Sequence, residues 1–252
     1  MLNMCGRFSL YAFRMTPEEF EERFGFPLPG EPDEMPEGGG YNIGPYRDIP
    51  VIFNDHDQNK MDMMYWQLIP YWSQEFKSSY TAFNTTIESF KNRGYKRELL
   101  VKHRCLVPAN NFFEFMKVEK EEVNRRTGEL VKKLKKVPIK FELKDEPLLT
   151  MGGIYSIWRD AEGNPHYSCS IITIPANELI KKVHPRMPFI LTREMEKVWL
   201  DPSFNDFNRI MELIQPYPPE KMVGYVVSPK LNNPRNESPD LIQPINGKLE
   251  LN

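Results

Sequence analysis

The stretch RCLVPANNFFEFM, residues 104–116, holds two strand-like runs, RCLVP (104–108) and NFFEFM (111–116), separated by Ala109-Asn110. Similar runs lie on both sides of it. They are IPVIF (49–53), MDMMYWQLI (61–69), VPIKFEL (137–143), LLTMGGIYSIW (148–158) and YSCSIITI (167–174). The opening CGRFSL (5–10) alternates apolar and polar residues as a short strand does. Helical signals are fewer. Thr16-Pro17-Glu18-Glu19 announces a helix, with Thr16 as cap, Pro17 in the first helical position and Glu19 completing a capping box. Phe20 and Phe24 share one face of that helix, and Gly25 stops it. Further helices are expected at 86–101, 175–182 (with Pro175-Ala176-Asn177 as its start), 193–200 and 205–214. Many short strands with a few interposed helices predict an α+β fold, β-rich and built as one domain over residues 1–252.

Three stretches lie outside this pattern, and there is no internal repeat. Residues 27–40 are rich in Pro, Gly and Glu and read as a loop. Residues 117–136 are charged, carry Gly128 and sit between two strands, so they predict a hairpin extension. Its Lys132, Lys133, Lys135 and Lys136 are candidates for phosphate contact, although a solvated charged ribbon is the simpler reading. From Ser228 to the end, residues 228–252, the Pro- and Asn-rich chain reads as an irregular tail.

Composition narrows the function. The chain has 252 residues, with 33 Lys plus Arg against 35 Asp plus Glu, a net charge of −2. This excludes a globally basic nucleic-acid coat and leaves a local basic cleft open. No apolar run approaches the ~20 residues of a membrane span, and no basic start leads into an apolar stretch as in a signal peptide. Cys5, Cys105 and Cys169 are odd in number and scattered, which fits a reducing, cytoplasmic setting better than a disulfide framework. No Cys/His spacing suits zinc, so neither metal nor organic cofactor is expected.

Four segments carry reactive groups. In MCGRF (4–8), removal of Met4 as initiator would leave Cys5 first, with an α-amine of pKa near 8 beside a thiol of pKa near 8.5. Such a 1,2-aminothiol condenses with an aldehyde to an imine, and its thiol closes a five-membered thiazolidine. Read alone, the segment equally fits a small buried hydrophobe on a strand. In FNTTIE (83–88), Asn84 can orient a ligand or simply serve a turn. In PANNFFEF (108–115), alternation puts Phe112, Glu114 and Met116 on one face. Burial among aromatics would raise the Glu114 pKa and suit it to proton transfer, whereas on an edge strand it would point to water. In VHPRMPFIL (183–191), two prolines hold His184 rigidly in a loop, where it is either an acid or base or a structural histidine.

Together these segments resemble the SRAP family (SOS-response-associated peptidase domain). The pieces MCGRF (4–8), YNIGP (41–45), WQLIPYW (66–72), FNTTIES (83–89), RCLVPANNFFEF (104–115), GGIYSIW (152–158) and HPRMPFIL (184–191) follow the family's order. The resemblance implies sheets curled into a barrel-like core with flanking helices. It also implies a positively lined cleft for single-stranded DNA, and a thiazolidine crosslink from the N-terminal cysteine to abasic sites. It implies that Cys5 is the crosslinking nucleophile and that Asn84 positions the opened sugar. Glu114 would shuttle protons, and His184 would act as the acid that opens the deoxyribose. Arg7 and Arg186 would neutralise phosphates or order the cleft. Trp66 would stack on a base at the cleft or belong to the core. A cytoplasmic monomer, nucleoid-associated when bound to DNA, is the corresponding expectation.

Three departures from the family pattern bear on this. Thr86 stands where the family usually has a phosphate-binding Arg, so that contact is either missing or supplied from elsewhere, with Arg97 the candidate, and Tyr65 stands where an Arg commonly precedes the tryptophan. Fewer phosphate contacts imply weaker, less salt-sensitive DNA binding. Met1-Leu2-Asn3 precedes Met4, and a Cys5 inside the chain has no free amine, so translation from Met4 or cleavage of the extension is expected. Two alternatives remain: a thiol autopeptidase using Cys5, His184 and Asn84, and a noncatalytic module for single-stranded or modified-base DNA.

Overall fold

The computed structural model describes residues 6–76, 82–92, 94–123, 126 and 129–248. Within them the strands are β1 (Phe8–Leu10), β2 (Gly40–Ile43), β3 (Asp48–Asp55), β4 (Gln58–Trp66), β5 (Asn84–Thr86), β6 (Arg104–Ala109) and β7 (Asn111–Val123). They continue with β8 (Leu130–Leu143), β9 (Leu149–Arg159), β10 (Pro165–Pro175), β11 (Arg186–Pro188), β12 (Ile190–Leu191), β13 (Met222–Val227) and β14 (Pro244–Lys248). The helices are α1 (Pro17–Phe24), α2 (Tyr95–Lys102), α3 (Arg193–Leu200) and α4 (Phe207–Leu213).

Two sheets result, and the fold is the β-rich α+β, barrel-like one expected. One sheet runs β14-β13-β8-β7-β1-β2. The other closes on itself: β10 pairs with β4 on one side and β9 on the other, so β4-β3-β6-β9-β10 form a five-stranded barrel. Closure depends on β9 meeting β6 and β10 without side chains in the way. A Cβ on Gly153 would lie 2.9 Å from the Ser170 carbonyl and 3.0 Å from Cys105 Sγ, and one on Gly152 would enter the Phe189 ring at 2.5 Å.

The stretch 104–116 links the two sheets. β6 belongs to the barrel and β7 to the open sheet, and the chain changes sheet at Asn110. The buried Asn110 amide makes that corner, accepting from the Tyr11 N–H at 2.8 Å and donating to the Ala12 and Pro147 carbonyls at 2.8 and 3.0 Å. Every polar atom of this side chain is thereby paired inside the protein, as burial demands. One apolar core then runs between the sheets, where Phe8 of β1 packs on Trp66 of β4 with ring centroids 5.2 Å apart.

The α1 signal reads through to atoms. Thr16 accepts from the Glu19 N–H, Glu19 reaches back to the Thr16 N–H, and Gly25 ends the helix at φ 83°. The helix expected at 86–101 is instead a 3-10 turn at Ile87–Lys91 and the separate α2, with extended Gly94 capping α2. Expected helix 175–182 reduces to a 3-10 turn at Ile180–Lys182. Pro175 is the last residue of β10 and pairs with Arg186, and the Ala176 N–H goes to the Pro185 carbonyl, so this backbone is committed to a hairpin. The stretch from Ser228 is more ordered than a tail. It makes two 3-10 turns and β14, and buries Leu231, Leu241 and Ile242 against Phe113 and Val227.

Candidate active site

Glu114 lies on β7 between β8 and β1, so it is on an inner strand, not an edge. It shares the face of the buried Phe112 and is only 1% exposed. His184 follows the 3-10 turn at Ile180–Lys182 and donates its backbone N–H to the Ile180 carbonyl at 2.9 Å. Its Nδ1 is 3.9 Å from Glu114 Oε1. That nitrogen also faces the Arg186 peptide, 3.1 Å from its carbonyl oxygen and 3.2 Å from its N–H nitrogen. Whichever tautomer is present, Nδ1 is engaged by backbone, and the buried Nε2 has no partner among the described residues. One ring nitrogen is thus held by the scaffold, and the other has no hydrogen-bond partner among the described residues.

Arg186 opens β11 and ties this loop to the next element. Its guanidinium donates to Glu88 Oε1 at 2.7 Å and to the Thr173 carbonyl at 2.5 Å. The charge of Arg186 and its hydrogen bond hold the Glu88 carboxyl below the usual glutamate range. Glu88 belongs to the 3-10 turn directly after β5, so the pair clamps the Asn84 segment against β11. Within that segment Thr85 is buried with its hydroxyl 2.8 Å from Ser170 Oγ, and the Phe83 carbonyl accepts from Ile171. These anchors leave Asn84 half-buried on β5, across the end of β10 from β11. Glu114 therefore approaches His184, whose ring is held by the Arg186 peptide, and Asn84 lies on β5 across β10 from β11.

Arg7 is half-buried, and burial lowers its pKa. Its Nη1 donates to Asn42 Oδ1 at 2.6 Å and to the Leu231 carbonyl at 3.3 Å. Asn42 in turn donates to the carbonyls of Asn233 and Asn236 at 3.0 and 2.9 Å. These contacts tie Arg7 through Asn42 to the turn at 231–236. Asn42 was passed over by sequence reasoning, although it stands in the quoted YNIGP. Cys5 lies outside the described residues. The chain next to it is placed: Phe8 pairs with Phe112, and the Phe113 N–H donates to the Arg7 carbonyl at 2.9 Å. Continued one step, this antiparallel register sets Gly6 opposite Glu114.

Two of the expected DNA-binding residues have partners inside the protein. Trp66 is a core residue at 0% exposure, with its indole N–H donating to the Phe83 carbonyl at 2.9 Å and its rings against Phe8 and Phe83. No face of it is open to a base. The exposed aromatics of WQLIPYW are Tyr71 and Trp72, the latter 56% exposed and 4.5 Å from Tyr95 between ring centroids. They were missed because periodicity does not separate exposed from buried aromatics in an irregular turn. Arg97 on α2 lies over the Phe207 ring at 3.7 Å, so its guanidinium packs on α4. Among the described residues no group of three or more His, Cys, Asp or Glu could hold a metal ion, and no helix is long and apolar enough to cross a membrane.

Comparison with known proteins gives a consistent set. The family model described as SOS response associated peptidase (SRAP) matches residues 4–234. The abasic site processing protein YoqW of Bacillus subtilis (strain 168) is 36% identical over 245 residues, covering 95% of this chain and 99% of its own. The abasic site processing protein HMCES of Gallus gallus is 31% identical over 245 residues, covering 85% of this chain and 70% of its own. A crystal structure of a protein from Bacteroides thetaiotaomicron superposes with a TM-score of 0.66 at 29% identity, over 81% of this chain and 85% of that one.

Proposed function

This chain belongs to the SOS response associated peptidase (SRAP) family, and from that premise we propose that it processes abasic sites in DNA, capturing the opened sugar in single-stranded DNA through Cys5 as a thiazolidine. The observation that carries the reading is the β1–β7 register. It runs the chain start along β7 to Glu114, whose carboxylate lies 3.9 Å from His184.

The steps follow from the groups present. Removal of the residues before Cys5 frees its α-amine. His184, through Nε2, gives a proton to the deoxyribose ring oxygen and recovers the one released by the C1′ hydroxyl as the ring opens and exposes the C1′ aldehyde. The neutral amine attacks C1′, forming the C–N bond. Glu114 carries one proton from the nitrogen to the aldehyde oxygen, giving the carbinolamine, and then a second to its hydroxyl, which leaves as water and gives the imine. The Cys5 sulfur then adds to the imine carbon, and the thiol proton ends on nitrogen. The adduct equals protein plus DNA minus one water. Asn84 holds the opened sugar, Arg186 fixes His184 through its peptide, and Trp72 with Tyr71 supplies the stacking surface assigned above to Trp66.

The deciding experiment compares protein beginning at Cys5 with protein beginning at Met1, each on a single-stranded oligonucleotide with one abasic site. A heat-stable adduct on a denaturing gel, one water lighter than the sum of masses and formed only with Cys5 exposed, is the expected result. DNA binding with no adduct from either form would overturn the reading in favour of a noncatalytic module. Release of the first residues by a protein whose blocked N-terminus forms no adduct would favour the thiol peptidase.

A further inference from the structure

The β7–β8 ribbon is longer than the sheet that bears it. β7 and β8 pair without interruption from Phe112↔Phe141 out to Val123↔Leu130. β1 accompanies β7 only at Asn111 and Phe112, and β13 accompanies β8 only over Ile139–Leu143. From Lys117↔Lys136 outward the ribbon has no lateral strand partner among the described residues. Six further pairs carry it about 20 Å from the body of the domain, at ~3.4 Å per residue. A two-stranded ribbon of that length buries little, so the fold itself does not require it.

Its charge opposes that of the rest of the chain. Residues 117–136 hold eight Lys and Arg against four Glu, a net +4, so the remaining 232 residues carry −6 of the total −2. Four of the lysines stand within five consecutive positions of β8: Lys132, Lys133, Lys135 and Lys136, all exposed. β7 is also the strand that carries Glu114. Alternation puts even-numbered β7 residues on the Glu114 face, and the pairing Val118↔Lys135 puts Lys135, and with it Lys133, on that same face. These two are about 7 Å apart along the strand, of the same order as the step between neighbouring phosphates of a nucleic-acid strand.

We propose that the ribbon is an electrostatic arm that grips the phosphate backbone of the DNA strand as it leaves the site, with Lys133 and Lys135 as principal contacts and Lys132 and Lys136 reinforcing them. The proposal rests on the DNA reading above and extends it to a surface the site does not include. The arm supplies, at a distance from the chemistry, backbone charge that Thr86 and Tyr65 do not supply beside it. Its contacts are to phosphates and independent of base sequence.

The test is the salt dependence of binding to undamaged single-stranded DNA by fluorescence anisotropy. It uses one probe that fills only the cleft and a longer one that reaches the arm. Lys132, Lys133, Lys135 and Lys136 are all changed to Gln. A charge-matched control changes Lys102, Lys144, Lys197 and Lys221 to Gln, four exposed lysines elsewhere. On the long probe the arm variant should lose about tenfold in affinity at low salt. Its slope of log K against log salt should fall in magnitude by about 1.4 for two lost contacts and about 2.8 for four, at ~0.7 per phosphate. The short probe and the control should match wild type. An unchanged slope in the arm variant overturns the arm, as does an equal fall in the control. A ribbon serving a protein partner through the exposed Val123, Leu130 and Leu134 would give the first of these results. Adduct formation is scored separately on abasic DNA. A wild type that forms no adduct yet shows the slope change removes the crosslinking reading and leaves the arm standing. A wild type that crosslinks while the slope is unmoved does the reverse.

Discussion

His184 Nδ1 and Glu114 Oε1 lie 3.9 Å apart, one carried by the loop that leads from the barrel into β11 and the other by the open sheet. The distance is too long for a direct hydrogen bond. On the proposed reading, His184 as acid and Glu114 as proton carrier would stand on two sides of the reacting carbon. Neither sheet alone contains the site, which exists because β6 and β7 pass the chain from one to the other at Asn110.

Glu114→Gln keeps the shape of a fully buried side chain and removes its proton transfer. Adduct formation should slow by about 10²–10⁴-fold, measured as a single-turnover rate on abasic DNA, with the melting temperature within a few degrees of wild type. A normal rate from a folded variant would take Glu114 out of the reaction.

Trp66 and Trp72 should separate cleanly. Trp66→Ala empties a core position and should cost ~3–5 kcal/mol of stability by urea unfolding. Trp72→Ala should leave the urea midpoint nearly unmoved and weaken single-stranded DNA binding by ~1–3 kcal/mol, the worth of one base–aromatic stack.

Cys105 and Cys169 are buried, and burial pushes both thiols well above their ordinary value of 9.0. At pH 8 they should resist alkylation until the protein is unfolded, while Cys5 reacts, as peptide mass mapping would show. The linkage sign follows. A folded-state pKa raised above the unfolded one gives stability that is complete below about pH 9 and declines as pH climbs beyond it. Urea midpoints above pH 9 should therefore fall less in the Cys105→Ala, Cys169→Ala double variant.

The Glu88–Arg186 pair gives the opposite sign. The Glu88 pKa is depressed from 4.5 by Arg186, so its contribution is present above that value and lost as pH falls through the folded pKa. The carboxylate is half exposed, and solvent holds the effect to at most about 1 kcal/mol. Glu88→Gln should flatten the acid limb of the stability curve by that amount. It should also slow adduct formation at pH 7, because the clamp on the Asn84 segment is gone.

Much of this protein is written locally in its sequence. The α1 capping box, the α3 boundaries, seven of the longer strands and the short β1 follow from cap chemistry and period-two alternation, which act between residues a few positions apart. The side of β7 that Glu114 takes follows from the same alternation. The short strands β2, β5 and β11 were not legible, because three or four residues outside a longer alternating run carry no period and exist only where a neighbour pairs with them. Trp66 and Trp72 stand six residues apart in one motif, and nothing local says which is buried. That is decided by Phe8, which arrives from the other sheet. Arg97 is a free cation in the sequence and a partner of Phe207 in the fold. The sequence by itself determined which residue types and elements are available. The tertiary structure decided which of them meet, since barrel closure, the corner at Asn110 and the pairing of His184 with Glu114 all join residues far apart in the chain, and such contacts are settled by packing.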